Sequence, residues 1–224
     1  MARKSYQAQL DQLREDVAGM ADLVLERYEH ALVAMETGDD ELAEEVIVGD
    51  HDVNSLYLHL EGQCIDLLAL QQPVASDLRF IAASFKIITD LERVADLATN
   101  LARYSMELEG EMHPAVDLRS IADTAGDMVA DAISAYEDSD PDACREIARR
   151  DDALDTRCEE VGQRIVKELI EDTTQASDEE AERILEGVST ALLTIRDLER
   201  VGDHAVNISA RTLYMIENDD ELIY

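Results

Sequence analysis

Apolar side chains recur every three to four residues along most of the chain, which is the period of one face of an α-helix. Short runs containing Gly, Pro, Asp and Ser interrupt this pattern. The pattern predicts six helices, at about residues 5–36, 41–70, 75–107, 115–138, 141–171 and 177–217. The first three would be rods of roughly 45 to 50 Å, and such rods joined by short turns are typical of an antiparallel bundle.

Two of the predicted helices carry recognisable start signals. Asp140 precedes Pro141, so Asp140 is a candidate N-cap and Pro141 suits the first helical position. Ser177 has Glu180 three residues later, the spacing of a capping box. These signals predict where the fifth and sixth helices begin.

The third and sixth predicted helices share a nearly identical segment. Residues 88–100 read ITDLERVADLATN and residues 195–207 read IRDLERVGDHAVN, with nine of thirteen positions identical at an offset of 107. Residues 50–54 resemble residues 151–155 at an offset of 101. Helical periodicity alone does not reproduce specific acids and amides twice, so the chain is an internal duplication. We predict two repeats, residues 1–110 and 111–224, each forming a three-helix bundle.

The composition supports this all-α fold of two tandem three-helix bundles. Aromatic residues make up 4% of the 224 residues, Trp is missing, and Gly and Pro number nine and three. These values argue against a β-sandwich or a β-barrel. The hydrophobic fraction of 46% argues against disorder.

The charge balance narrows the classes of partner. Fifty-two acidic residues face nineteen basic ones, which gives a net charge of -33. Such a surface repels nucleic-acid phosphates and anionic lipid, so we expect neither nucleic-acid binding nor direct membrane insertion. Acidic residues are spread along the whole chain and only three residues are Lys, which is typical of a halophilic protein from a saline cytoplasm.

The expected location is the cytoplasm. No apolar segment follows the N-terminus, so we predict no signal peptide, and no apolar run approaches the ~20 residues of a membrane span. Cys64, Cys144 and Cys158 form an odd set without a CxxC pair, which indicates core thiols in a reducing compartment.

The duplicated segment places oxygen-bearing side chains in a stripe. Glu92, Asp96 and Asn100 lie four residues apart, so each is turned only about 40° from the one before. The same stripe recurs as Glu199, Asp203 and Asn207. Carboxylate and amide oxygens suit hard cations such as Mg, Mn, Ca or iron. We therefore predict a metal site, or a partner-binding site, on each stripe.

Less specific interpretations remain open for these carboxylates. Acids at i and i+4 arise often in so acidic a chain, and most such pairs lie in solvent. Structural ion pairing to Arg93 and Arg200 is the main alternative for the two stripes. His204 lies about 140° around the helix from Glu199, so we expect it at the surface or in helix packing rather than in a metal site.

Signatures of catalysis are missing from the sequence. It contains no GxSxG, P-loop, GxGxxG or HExxH motif. No Glu precedes a His by three residues, so the Glu-x-x-His pairs of di-iron bundles are missing as well. We expect no enzymatic activity and no catalytic residues; a metal-dependent bundle enzyme or a metal store is the alternative.

Three segments together resemble the PhoU family of phosphate-uptake regulators. They are DLERVADLATN at residues 90–100, DLERVGDHAVN at 197–207 and LALQQPVASDLR at 68–79. The N-terminal Leu10-x-x-Leu13 pattern is similar to that family too. The resemblance covers essentially the whole chain and implies an all-α cytoplasmic regulator that restrains phosphate uptake and phosphate-starvation signalling.

The resemblance also implies partners and a cofactor. The implied partners are the ATP-binding subunit of the phosphate ABC transporter and, in bacteria, a sensor histidine kinase. In a saline cytoplasm the kinase is expected to be lacking, which leaves the transporter as the main target. The family's E/D-x-x-x-D motif maps onto Glu92/Asp96 and Glu199/Asp203, and in some members it binds metal. Iron is the first expected cofactor, with Mn, Mg and Zn as alternatives, and a homodimer is the expected assembly.

Overall fold

The computed structural model describes residues 2–70, 73–107, 118–173 and 177–223, which form six α-helices and no strand. The helices are α1 (Ala2–Thr37), α2 (Asp40–Leu70), α3 (Ala75–Glu107), α4 (Leu118–Asp138), α5 (Pro141–Thr173) and α6 (Asp178–Glu217). They confirm the predicted all-α fold and most helix bounds within three residues. The predicted start of the fourth helix at residue 115 and the predicted repeat boundary at 110/111 lie outside the described residues.

The predicted helix caps are confirmed. Asp140 Oδ1 accepts hydrogen bonds from the backbone N–H groups of Asp142 and Ala143, at 2.9 and 3.1 Å, and α5 begins at Pro141. Ser177 is the N-cap of α6, and its side chain accepts from the Glu180 backbone N–H. These acceptors satisfy N–H groups that the first helical turn leaves unpaired.

The two repeats turn between their first two helices in the same way. Gly38 between α1 and α2 has a φ of 66°, and Ser139 between α4 and α5 has a φ of 55°. The left-handed region suits Gly38, whereas Ser139 adopts it at a cost. Equivalent turns with the same backbone geometry are what a duplication predicts.

Each repeat packs its three helices together, and the repeats join through α3 against α6 and α1 against α4. One continuous core spans both repeats. Its largest fully buried side chains include Leu13, Met20, Leu60, Ile88, Leu91, Leu101, Ile121, Met128 and Tyr136. Cys64, Cys144 and Cys158 are buried free thiols, as predicted. No described helix has an apolar stretch long enough to cross a membrane.

Arg14 of α1 forms hydrogen bonds that link the first repeat to the second. Its guanidinium donates to the backbone carbonyls of Tyr136 and Glu137, at 3.2 and 2.6 Å, where α4 ends. The same group lies 5.0 Å from the ring centre of Phe80. A cation at a helix C-terminus meets the negative end of the helix dipole and the last unpaired carbonyls.

Candidate metal centres

The first candidate centre lies between α2 and α3. Glu92 and Asp96 of α3 face Asp50 of α2, and the charge of Asp50 raises the pKa of both. Burial is the larger cause of each raised pKa, and for Glu92 the Asp96 charge ranks second. Asn54, one turn after Asp50, donates from Nδ2 to Asp50 Oδ2 at 2.8 Å. This centre therefore contains three carboxylates and one amide.

The second candidate centre lies between α5 and α6 and contains four carboxylates. Asp151 and Asp155 of α5 face Glu199 and Asp203 of α6. Burial, followed by the charges of Asp155 and Asp203, raises the pKa of Asp151 to about 7. Burial and the neighbouring carboxylates also raise the pKa values of Asp155 and Glu199. The charges that raise the pKa of Asp151, Asp155 and Glu199 are therefore all those of carboxylates.

Asp151 projects onto the backbone of α6 at Gly202. A Cβ built on Gly202 would lie 2.5 Å from Leu154 Cδ2 and 2.9 Å from Asp151 Oδ1, so any other residue here would displace one or both of these side chains. Asp151 Oδ1 is buried and has no hydrogen-bond donor among the described residues. A buried carboxylate oxygen without a donor is costly unless something positive satisfies it.

The donor chemistry of both centres fits a hard cation. The oxygens come from carboxylates and an amide, and the mutual repulsion of the carboxylates, which adds to burial in raising their pKa values, is what a bound cation would relieve. In the described part of the chain, no three His, Cys, Asp or Glu side chains converge closely enough to hold an ion together. Binding would therefore require the exposed carboxylates, Asp96, Asp155 and Asp203, to rotate inward.

The alternative interpretation was that Arg93 and Arg200 neutralise the carboxylates of the two stripes, and the structure gives it little support. The Arg200 guanidinium Nη1 lies 3.5 Å from Oδ1 of Asp197, an acid that belongs to neither centre. Arg103, Arg200 and Arg93 lower the pKa of Asp96, in that order, but burial and the charge of Asp50 outweigh them and the net direction is upward. The carboxylates of the first centre are therefore not neutralised by these two arginines.

Asn100 and Asn207, the two asparagines of the predicted stripes, form hydrogen bonds between the repeats. Asn100 Nδ2 donates to Asp197 Oδ2 at 3.4 Å, and Tyr104 donates to the same oxygen at 3.0 Å. Asn207 Nδ2 donates to Asp90 Oδ1 at 3.4 Å. Because the two Asn–Asp pairs occupy matching positions in antiparallel helices, α3 and α6 cross about an approximate twofold axis. The asparagines thus lie at the repeat junction, at the edge of each stripe.

His204 packs between helices, one of the two environments predicted for it. It is 6% exposed, and its Nδ1 lies 2.9 Å from Asp90 Oδ1. No role was predicted for Asp90 and Asp197, two buried acids that accept hydrogen bonds across the junction. Their signal was present, since Asp90 and Asp197 occupy the same position in the duplicated segment.

The three acids and one amide on α2 and α5 were predicted to be part of the duplication, but no binding role was predicted for them. Asp50, Asn54, Asp151 and Asp155 have the i, i+4 spacing that solvent-exposed acids often share. Their recurrence at an offset of 101 was the signal that separates them from the other acids. The structure places each pair opposite the carboxylates of the stripe in its own repeat.

The family model described as the PhoU domain matches residues 17–105 and 118–212. The chain belongs to the PhoU family. Its two matches correspond to the two repeats, which agrees with the tandem three-helix architecture. This finding confirms the resemblance drawn from the duplicated DLERV segments.

Relatives from bacteria and archaea align with this PhoU-family chain over nearly its whole length. The phosphate-specific transport system accessory protein PhoU homolog of Pseudomonas putida is 32% identical over 97% of this chain and 82% of its own. The accessory protein PhoU of Escherichia coli is 30% identical over 96% and 86%. The PhoU homolog 1 of Methanothermobacter thermautotrophicus is 31% identical over 94% of both chains.

Solved PhoU structures share the fold. PhoU from Pseudomonas aeruginosa superposes with a TM-score of 0.86 at 30% identity, covering 96% of this chain and all of that one. The phosphate transport system regulatory protein PhoU from Streptococcus pneumoniae gives 0.85 at 29% identity, with coverage of 96% and 98%. Both similarities extend across the two repeats.

Proposed function

We propose that this protein is a non-enzymatic accessory regulator of phosphate transport. The observation that carries the proposal is the match of both repeats to the PhoU domain, with relatives named as phosphate-transport accessory proteins that align along 94–97% of the chain. In this role it acts in the cytoplasm and restrains phosphate uptake and phosphate-starvation signalling when phosphate is plentiful.

The proposed target is the ATP-binding subunit of the phosphate ABC transporter. A sensor histidine kinase is the second candidate target. It ranks below the transporter because the kinase is expected to be lacking in a saline cytoplasm. Contact with the transporter would bring the protein to the membrane surface without inserting it. A negative surface with a net charge of -33 favours a protein partner over lipid or nucleic acid.

Cations held at the two acidic centres are the proposed structural cofactors. Asp50, Glu92 and Asp96 would hold one, and the α5–α6 centre would hold the other. A bound cation supplies positive charge that relieves carboxylate repulsion and ties α2 to α3, or α5 to α6. The carboxylates would hold the cation and the packed helices would shield one side of it from water, so an occupied centre would fix the relative positions of its two helices.

The test of the regulatory role is a pull-down at high salt from membranes of the native host. Cells are grown with abundant phosphate or starved of it, and the transporter's ATP-binding subunit is quantified in each. We expect recovery that changes with phosphate supply. Failure to recover the subunit under both conditions contradicts the proposed target.

The test of the metal centres is separate. Replacing Glu92, Asp96, Glu199 and Asp203 with Ala should abolish bound metal in elemental analysis and leave the helical circular dichroism intact. Unchanged metal content would contradict the assignment. The homodimer stays a prediction, and light scattering on the purified protein tests it.

A further inference from the structure

The outward face of α2 carries a regular row of residues that we call the α2 stripe. Its members are Val48, His51, Ser55, Leu58, Gly62, Ile65 and Ala69. They alternate at spacings of three and four residues, the a and d positions of a heptad repeat. All seven are exposed, whereas Val46, Val53, Leu60 and Leu67 on the opposite face are buried in the core.

The α2 stripe contains no charged residue, in a chain with 52 acids. Of the large apolar side chains described, the three most exposed are Val48 at 69%, Leu58 at 63% and Ile65 at 53%. Single exposed apolar residues are normal, but a continuous row of them along one helix marks an interaction surface.

The second repeat supplies an internal comparison, because α5 occupies the place of α2. The equivalents of the first six stripe residues, Val48 to Ile65, are Arg149, Asp152, Thr156, Glu159, Gln163 and Val166. These six residues are exposed as well, yet only one of them, Val166, is apolar. Solvation alone therefore produces a polar face at this place in the fold, and the apolar α2 stripe needs another cause.

The shape of the stripe suits a second helix. Ser55, Gly62 and Ala69 recur every seven residues, and small side chains let another helix approach the α2 backbone closely. A Cβ on Gly62 would meet nothing within 4 Å, so no described neighbour requires the glycine there. A mid-helix glycine costs about 1 kcal/mol relative to alanine, which a close helix contact would offset.

The charge of α2 indicates what kind of helix would bind to the α2 stripe. Residues 40–70 contain eight acids and no Lys or Arg, and Asp52, Glu61 and Asp66 flank the stripe. A second copy of α2 would set eight carboxylates against eight. A helix of another protein that carries Lys or Arg beside its apolar face would instead gain from the same charges.

We propose that the α2 stripe docks an amphipathic helix of a partner protein, about three heptads long, with apolar a and d residues and Lys or Arg flanking them. The stripe spans about 32 Å at ~1.5 Å per residue, which sets that length. The docking goes beyond the proposed function, because it holds whichever protein supplies the helix. If the transporter supplies it, the α2 stripe is the contact surface of the accessory role.

In-cell photocross-linking tests this docking. A photoreactive amino acid replaces Leu58 in one strain and its α5 equivalent, Glu159, in a control strain. We expect an adduct with another protein from position 58 only, and peptide mapping should place the cross-link on a helix with the stated pattern. Adducts at both positions or neither, an adduct with a second copy, or a cross-link mapped to a loop or an acidic surface overturns the proposal.

A pair of variants tests whether the partner helix contacts the α2 stripe itself. With the photoreactive residue at position 55, the I65E substitution should reduce the adduct about tenfold or more, since a buried carboxylate would face the partner's apolar residues. The V166E substitution on α5 should leave it unchanged. Both sites are exposed, so folding is unaffected, and equal adduct yields overturn the proposal. An adduct with a protein outside the phosphate transporter supports the docking while contradicting the proposed target.

Discussion

The two acidic centres come from one ancestral repeat and differ at one decisive position. The first centre has Asn54 where the second has Asp155. Asn54 donates a hydrogen bond to Asp50, whereas the carboxylate of Asp155 cannot donate one to Asp151. Asp151 is left with a buried oxygen that has no donor among the described residues, and its pKa rises to about 7.

This difference shows that an amide of the protein can satisfy a partly buried carboxylate, a task that would otherwise fall to a bound cation. In the first centre the Asn54 amide partly satisfies the α2 carboxylate. In the second centre the charges that raise the pKa of Asp151 belong to four carboxylates: Asp155, Asp203, Asp152 and Glu199. We therefore expect the second centre to bind a cation more tightly than the first.

The largest expected effect comes from emptying one centre at a time. Replacing Glu199 and Asp203 with Ala removes two of four carboxylates and should eliminate the tighter class of Mn²⁺ sites in calorimetry. The matched pair of substitutions at Glu92 and Asp96 should leave that class in place. If the two double variants lose the same class of site, the centres are equivalent and the comparison fails.

Exchanging the amide and the acid sharpens the same comparison. D155N gives the second centre the composition of the first, and N54D does the reverse. Because affinity for hard cations follows the number of carboxylate ligands, each exchange should change the Mn²⁺ affinity of its centre on the order of tenfold, in opposite directions. Calorimetric titration of the two variants checks this, and shifts in the same direction would contradict it.

A smaller effect is expected at the helix crossing of the second repeat. G202A places a methyl group against Leu154 and Asp151, so the free energy of unfolding should fall by about 1–3 kcal/mol. A95G, the reverse change at the equivalent position of the first repeat, removes a buried methyl group and lowers helix propensity, so it should cost about 1–2 kcal/mol. Urea unfolding at high salt measures both. A stabilising G202A would show that Asp151 does not lie against the glycine.

The smallest effect is a pH dependence in metal-free protein. The folded-state pKa of Asp151, about 7, lies above the ordinary value of about 3.9, so folding favours its protonated form. That stabilisation is complete below about pH 4 and is lost as the pH rises through 7.

D151N should therefore gain stability over the wild type as the pH rises to 8. The expected gain is on the order of 1 kcal/mol, because solvent screens a half-exposed carboxylate. Chemical unfolding between pH 4 and 8 in the presence of a chelator measures it. E160Q, at an exposed site on α5 whose charge is not among those that shift the pKa of Asp151, is the control and should follow the wild type. A D151N curve parallel to it would contradict the prediction.

The sequence by itself determined the elements and their duplication. The period of apolar residues, the Asp140 and Ser177 caps and the two DLERV segments are local or self-similar signals, and they predicted six helices in two repeats. The stripes of Glu92 with Asp96 and Glu199 with Asp203 were also visible, because residues four apart on one helix share a face whatever surrounds them.

The tertiary structure decided what each face meets. Each four-residue step turns the stripe by about 40°, so Asn100 lies about 80° from Glu92, toward α6 rather than α2. Its amide therefore bonds Asp197 across the repeat junction, at 3.4 Å, instead of joining the α2–α3 carboxylates. The sequence specifies directions about each helix axis, and only the packing of the helices decides which residues those directions bring together.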